Sequence, residues 1–151
     1  MCMFRIIDPT GQGLREYDPW GAGWFGAERP GGRTHTGMDF KCTPGQVVRC
    51  PVLEGVMVGT LRPYDDDDTL LGLLLRSTQF DIKMFYVDPL PELIGNKVIA
   101  TQPVGTAQDI TRRYDIRMVP HVHLEVIPHQ GSYCLEGSTL YINPKLILGG
   151  K

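Results

Sequence analysis

The sequence predicts one all-β domain, a compact antiparallel sheet with an irregular entry segment and at most one short helix. Three observations carry this expectation. Eighteen glycines and twelve prolines among 151 residues force frequent turns, which favours many short strands over long helices. From residue 38 onward, β-prone runs of a few residues alternate with turns bearing Pro or Gly. One run, His121-Val122-His123-Leu124-Glu125-Val126, shows the two-residue alternation of a strand. The length suits a single domain, residues 1–151, with an irregular N-terminal segment 1–19, a motif-bearing core 20–128 and a C-terminal extension 129–151.

Residues 1–34 are rich in Gly, Pro and aromatics, including Asp18-Pro19-Trp20-Gly21-Ala22-Gly23-Trp24-Phe25-Gly26, and read as an aromatic-anchored entry. Trp20, Trp24 and Phe25 there have two readings, as packed core or rim side chains and as the lining of a substrate groove. Met38–Cys42 is the first expected strand, closed by the turn Thr43-Pro44-Gly45. Val47–Arg49 and Gly55–Leu61 follow as hairpin-linked strands, set apart by Pro51 and Gly55. Tyr64 leads into the acidic run Asp65–Asp68. The oxygen ligands of a calcium loop are spaced and broken by a glycine, so four adjacent carboxylates read as a solvated turn. Leu70–Arg76 and Phe80–Asp88 are expected as a central pair of strands, followed by short strands and turns around Gly95-Asn96-Lys97-Val98 and Gln102-Pro103-Val104-Gly105. Gln108–Tyr114 has room for one or two helical turns, and Pro120 introduces the alternating strand. The tail Tyr141–Leu148, interrupted by Pro144, is expected to finish on a strand or turn.

Composition narrows the classes of function. Apolar residues make up 42% and charged residues 21%, the balance of an ordinary globular domain. The net charge is −2 and no Lys/Arg cluster supplies the phosphate-neutralising surface of a nucleic-acid binder. No apolar run approaches the ~20 residues of a membrane span. The first residues offer only a short apolar stretch before Asp8-Pro9, less than the roughly 7–15 residues of a secretory h-region. Cys2, Cys42, Cys50 and Cys134 form no C-x-x-C pair, and leave both free thiols and two disulfides open. A domain of this length can bury a core without a metal, so a metal here would serve chemistry.

The chain has four histidines, and three fall in two compact motifs, Arg33-Thr34-His35-Thr36-Gly37-Met38-Asp39 and Pro120-His121-Val122-His123. Histidine and aspartate are the expected ligands of a hydrolytic zinc site, which uses three protein donors and keeps a position for water. On a strand, His121 and His123 share a face with Cα atoms roughly 6.5 Å apart, which suits two roles at one site, a ligand and a group that reaches water or substrate. Gly37 lets the chain bend so that His35 and Asp39 converge; a fully extended strand would hold them ~13 Å apart. His129, after Pro128, reads as a surface residue.

These motifs resemble the lysostaphin/LytM-type zinc metallopeptidases, which cleave peptide cross-bridges of bacterial peptidoglycan. The resemblance spans roughly residues 20–128. It takes in His35, Gly37 and Asp39, then Pro44-Gly45, Val47, Pro51 and Gly55-Val56, then Gly95, Val98, Gln102 and Val104-Gly105, and finally His121–Val126. It implies the compact antiparallel β-fold (duplicated hybrid motif) with a groove above the metal. His35, Asp39 and His123 would be ligands of one Zn²⁺ per chain, and His121 the catalytic histidine. Phe25-Gly26-Ala27, Pro63-Tyr64 and Lys83-Met84-Phe85-Tyr86 resemble the sub-branch of leukocyte-derived chemotaxin and its bacterial or phage relatives, whose animal member is regarded as a zinc-binding signalling protein without peptidase activity. Family peptidases usually carry a further histidine in a Tyr-x-His-Leu element. The matching stretch here is Tyr86-Val87-Asp88-Pro89, with Asp88 in the histidine's place. An ionised Asp cannot donate a hydrogen bond to an oxyanion, and losing one such donor costs on the order of 10²–10³ in rate unless Tyr86 or Tyr64 substitutes.

The resemblance leads to an expected zinc endopeptidase acting on peptidoglycan stem peptides or cross-bridges. His121 would act as base, and Glu125 either orients a ligand or forms a cross-strand salt bridge. A second reading is an inactive zinc-binding module whose groove holds a glycan, peptide or protein. A third places zinc on Cys42 or Cys50. A monomer is expected, made in the cytoplasm and delivered to the cell wall by other means, as a phage lysis or tail component or a secreted effector.

Overall fold

The computed structural model describes residues 5–129. Thirteen short strands are formed there: β1 (Tyr17–Asp18), β2 (Gly21–Ala22), β3 (Glu28–Arg29), β4 (Arg33–Thr34), β5 (Met38–Lys41), β6 (Val47–Arg49), β7 (Glu54–Leu61), β8 (Gly72–Arg76), β9 (Phe80–Phe85), β10 (Val87–Pro89), β11 (Lys97–Ile99), β12 (Pro103–Ala107) and β13 (His121–Pro128). A six-stranded sheet runs β11-β7-β8-β9-β13-β5, a three-stranded sheet runs β10-β12-β6, and β1-β2 and β3-β4 are two small ribbons. The pairings are antiparallel, and the expected all-β class is what the chain adopts.

The core lies between the two larger sheets, because alternate residues of each strand turn to the same side. Met57 from β7, Leu73 and Leu75 from β8, Ile82 and Met84 from β9, and Val122, Leu124 and Val126 from β13 meet Val48, Val87, Val104 and Ala107 of the smaller sheet. β13 is buried from His121 to Val126 on both faces. Its apolar set enters this core, and its other set, His121, His123 and Glu125, is buried on the opposite face.

Several expected elements differ in extent. Phe80–Asp88 is two strands, β9 and β10. The chain breaks at Tyr86, whose φ of 67° lies in the left-handed region that bulky residues rarely enter. Its N–H and that of Val87 both donate to Leu71 O, at 2.7 and 3.1 Å, and the chain then passes from the six-stranded sheet to the three-stranded one. The helical stretch Gln108–Tyr114 shrinks to a single 3₁₀ turn, Ile110–Arg112, started by Asp109 accepting from Thr111 N–H. A second such turn spans Pro91–Leu93. The strand expected from Leu70 starts at Gly72, and β13 runs two residues beyond Val126. The Asp65–Asp68 run forms no strand; Asp66 and Asp67 lie 3.3 and 3.9 Å from Arg113. The tail Tyr141–Leu148 and residues 130–151 of the C-terminal extension lie outside the described residues. Among those described, no helix is long and apolar enough to cross a membrane.

Candidate metal centre

Two neighbouring strands supply the centre. β13 pairs with β5 so that His123 lies opposite Asp39, and His35 precedes β5 on a turn that packs onto β13. Gly37 makes that packing possible by its lack of a side chain rather than by a special backbone angle. A Cβ there would be driven into Leu124 O and would stand 2.9 Å from His123 Cε1. The bend expected of Gly37 is therefore a close approach between two segments.

His35 Nε2, His123 Nδ1 and Asp39 Oδ1 form a triangle with sides of 3.0, 2.9 and 3.1 Å. The far side of each ring decides what these atoms are. His35 Nδ1 faces Trp24 O at 2.9 Å, and a carbonyl only accepts, so Nδ1 carries the proton and Nε2 a lone pair. His123 Nε2 faces Glu125 Oε1 at 2.9 Å, so Nε2 donates and the neutral ring leaves Nδ1 as a lone pair. Two imidazole lone pairs and a carboxylate oxygen thus point at one another, an arrangement that calls for a cation. Donors on a tetrahedral zinc at about 2.0–2.1 Å are roughly 3.3 Å apart, within a few tenths of the spacing found. These three residues form a group able to hold a metal ion.

Surrounding side chains fix the three candidate donors. Phe85 stacks on His123, with ring centroids 5.5 Å apart and planes 13° apart. Thr36 donates to Glu125 Oε1 at 2.8 Å. Arg15, from the entry segment, donates to Asp39 Oδ2 from Nε and Nη2 at 3.1 and 2.9 Å. Its Nη1 reaches Asp18 Oδ2 at 2.6 Å and Gly21 O at 3.0 Å. Asp18 Oδ2 also accepts from Val119 N–H at 2.9 Å.

Titration follows from this packing. Burial works to raise the Asp39 carboxyl, but the surrounding imidazoles outweigh it and hold it well below the usual carboxylate range. Burial alone would depress His123; the carboxylates of Asp39 and Glu125 overcome it and lift the metal-free ring to about 9. His121 goes the other way, with burial lowering its pKa against partial opposition from Asp39.

His121 lies beside the triangle, its Nε2 3.6 Å from Asp39 Oδ2. Its Nδ1 donates to Val119 O at 2.7 Å, which leaves Nε2 as the lone pair. Tyr86 meets the His121 ring edge-on at 5.5 Å. Its hydroxyl is 3.1 Å from that of Tyr64, which is 2.7 Å from that of Tyr114. Burial raises the Tyr86 phenol well above its ordinary value. A cavity of about 1230 Å³ opens over the centre, and Trp20, Trp24, Arg29, Tyr64, Tyr86 and Tyr114 are among its walls.

Of the residues singled out in the sequence, His35, Asp39, His121, His123, Glu125, Tyr64 and Tyr86 come together. Glu125 accepts from His123 Nε2, and it also stands opposite Lys83 of β9, whose charge helps to lower its carboxyl. Asp88 is not brought in. It is exposed on β10 opposite Thr106 and does not line the cavity, because the turn at Tyr86 carries the next residues into the smaller sheet. Trp24 and Trp20 line the cavity, while Phe25 packs on the core. Cys42 and Cys50 are free thiols in the core, raised by burial, Cys42 to about 12, and stand outside the triad. Cys2 and Cys134 lie outside the described residues. His129 is half-buried, with Nε2 2.7 Å from Asp81 Oδ1. Sequence reasoning missed Arg15, Asp18, Phe85 and the Trp24 carbonyl. An Arg and an Asp three apart in a Gly-rich segment were the only signal for the first two.

No protein-family model matches the chain. Leukocyte cell-derived chemotaxin-2 of Mus musculus is 30% identical over 113 residues, which cover 74% of this chain and 72% of the relative. Among solved structures, the catalytic domain of the antimicrobial peptidase lysostaphin from Staphylococcus simulans superposes with a TM-score of 0.54 at 20% identity, covering 90% of this chain and 88% of its own. A zinc-containing peptidase from Vibrio cholerae superposes at 0.51 and 19% identity, covering 77% of this chain and 37% of its own. The chain belongs to the family of leukocyte cell-derived chemotaxin-2 and carries the fold of the lysostaphin-type peptidases.

Proposed function

We propose that the chain is a zinc-dependent metalloendopeptidase that hydrolyses peptide bonds of bacterial peptidoglycan, in stem peptides or cross-bridges. The observation that carries this reading is the convergence of three lone-pair donors at the floor of a large cavity with a fourth, neutral imidazole beside them. Its support from fold likeness is the lysostaphin catalytic domain and the zinc-containing peptidase. Zinc in the triad would make water more acidic and polarise the scissile carbonyl.

The protein's own residues do the rest. Burial keeps His121 neutral near pH 7, and the Val119 carbonyl fixes its proton on Nδ1, so Nε2 accepts the proton of the attacking water and passes it to the leaving amine. Glu125 holds His123 in the tautomer that presents Nδ1 to the metal. Tyr86 stays protonated because its pKa is raised, and its hydroxyl, backed by Tyr64, is a donor on the wall for a developing oxyanion.

The second reading is a zinc-binding module whose groove holds a glycan, peptide or protein without cleaving it. The observations that favour it are the likeness to a chemotaxin and the exposed position of Asp88, which leaves three histidines at the cavity among the described residues. One experiment separates the two. Zinc-loaded protein is incubated with purified peptidoglycan and the products are read by mass spectrometry. New peptide termini are expected, with cleavage lowered about 10²–10⁴-fold in His121→Ala at unchanged zinc content. Zinc-replete protein that binds peptidoglycan and releases nothing would leave the module standing.

A further inference from the structure

We infer that Arg15 is a positioning residue of the candidate metal centre, which commits Asp39 to the metal through one oxygen, Oδ1, and through the other, Oδ2, ties the carboxylate to the base, His121. The inference rests on the metal-binding part of the proposed function and not on peptide hydrolysis.

The Asp39 carboxylate has two oxygens with different neighbours. Oδ1 faces His35 and His123, while Oδ2 accepts from two guanidinium nitrogens of Arg15, at 3.1 and 2.9 Å. An uncapped carboxylate can present both oxygens to a metal, which adds a bond and fills a position that a hydrolytic site keeps for water. The cap removes that option. The third guanidinium nitrogen extends the link. Nη1 holds Asp18, Asp18 accepts from Val119 N–H, and Val119 O accepts from His121 Nδ1. The ligand and the base are therefore joined through one side chain, in three directions that a planar fork supplies and an ammonium does not.

Arg15 is built into this place. It is 3% exposed, its N–H donates to Asp39 O at 2.7 Å, and Asp39 N–H donates to Gly23 O at 2.9 Å. Gly23 lies so close that a Cβ there would stand 2.8 Å from Arg15 Cβ. A buried charge held against two carboxylates cannot leave without stranding them.

Two measurements test the inference, neither of them peptidase activity. Zinc affinity is read by competition with a chromophoric chelator, and coordination by the visible absorption of the cobalt-substituted protein. Arg15→Lys and Arg15→Met should lose about 10–100-fold in zinc affinity, and their cobalt spectra should weaken as Asp39 adds its second oxygen. Arg15→Lys that folds, binds zinc within about twofold of the wild type and leaves the cobalt spectrum unchanged overturns the inference. Where the Arg15 variants fail to fold, Asp18→Asn loosens the same fork from its other end, with a few-fold loss of zinc affinity and a shifted cobalt spectrum expected. No change there overturns it equally. Wild-type protein that binds zinc but cleaves nothing removes the peptidase reading and leaves this one intact. Wild-type protein that binds neither metal removes both.

Discussion

Each candidate donor atom is defined by what its residue does on the other side. His35 spends its proton on the Trp24 carbonyl and His123 spends one on Glu125, so the atoms left facing Asp39 are acceptors. Glu125→Ala removes the acceptor that selects the His123 tautomer, and should weaken zinc binding by about 10–100-fold with one zinc still bound at saturation, as measured by chelator competition. The metal-free protein offers a second check. Its His123 pKa, pulled down by burial but raised on balance by two carboxylates, is about 9 against an ordinary 6.5. A folded-state pKa above the unfolded one means that the stabilisation is complete below about pH 6.5 and is lost as pH rises through about 9. The urea midpoint of chelator-treated protein should therefore fall across that window. That of zinc-loaded protein should fall less, because the metal stands where the proton was. Equal pH profiles for the two forms would contradict this account of the site.

At the scale of elements, β5 and β13 converge because one glycine lets a turn press onto a strand. Gly37→Ala puts a methyl group into the Leu124 carbonyl and against the His123 ring. Overpacking of this kind costs about 1–3 kcal/mol, which should appear as a lower urea midpoint together with weaker zinc binding, since the ring that moves is a ligand. Gly59→Ala, where a Cβ meets nothing within 4 Å, is the control expected to leave zinc binding alone. β13 was legible in the sequence because its alternation of apolar and polar residues is the direct imprint of two different environments on its two faces. His35 and Asp39 were legible because a glycine between two ligand types narrows what the segment can do. The break at Tyr86 was not, since a tyrosine at positive φ runs against its own backbone preference and is held by hydrogen bonds to Leu71 O, just before β8. Asp88 was singled out by its place in an element resembling Tyr-x-His-Leu, and that break leaves it exposed on β10. Arg15 and Asp18 were illegible for a related reason: their partners, Asp39 and Val119, are brought to them only by the fold.

For the whole molecule, the candidate metal centre lies where three parts of the chain meet: the entry segment through Arg15 and Asp18, the β5 region through His35 and Asp39, and β13 through His123 and His121. β13 is also an inner strand of the six-stranded sheet, flanked by β9 and β5, and its opposite face carries Val122, Leu124 and Val126 of the core. A ligand bound only by the folded state stabilises it by RT ln(1 + [L]/Kd), about 2.7 kcal/mol at a hundredfold excess over Kd. In a domain of this size each kcal/mol moves the unfolding temperature by roughly 2–4 °C. Zinc should therefore raise the melting temperature by several degrees or more, and by more as free zinc rises. The rise should be carried by one cooperative transition, because Asp39 and His123 belong to the same sheet as the core and His35 is held against them by the Gly37 contact with β13. Differential scanning calorimetry of wild-type and His123→Ala protein, each with and without zinc, reads this directly. The shift should vanish in the variant while its metal-free transition stays single. A separate low-temperature transition that alone responds to zinc would instead show the centre folding as a unit apart from the core, and the coupling argued from β13 would fail.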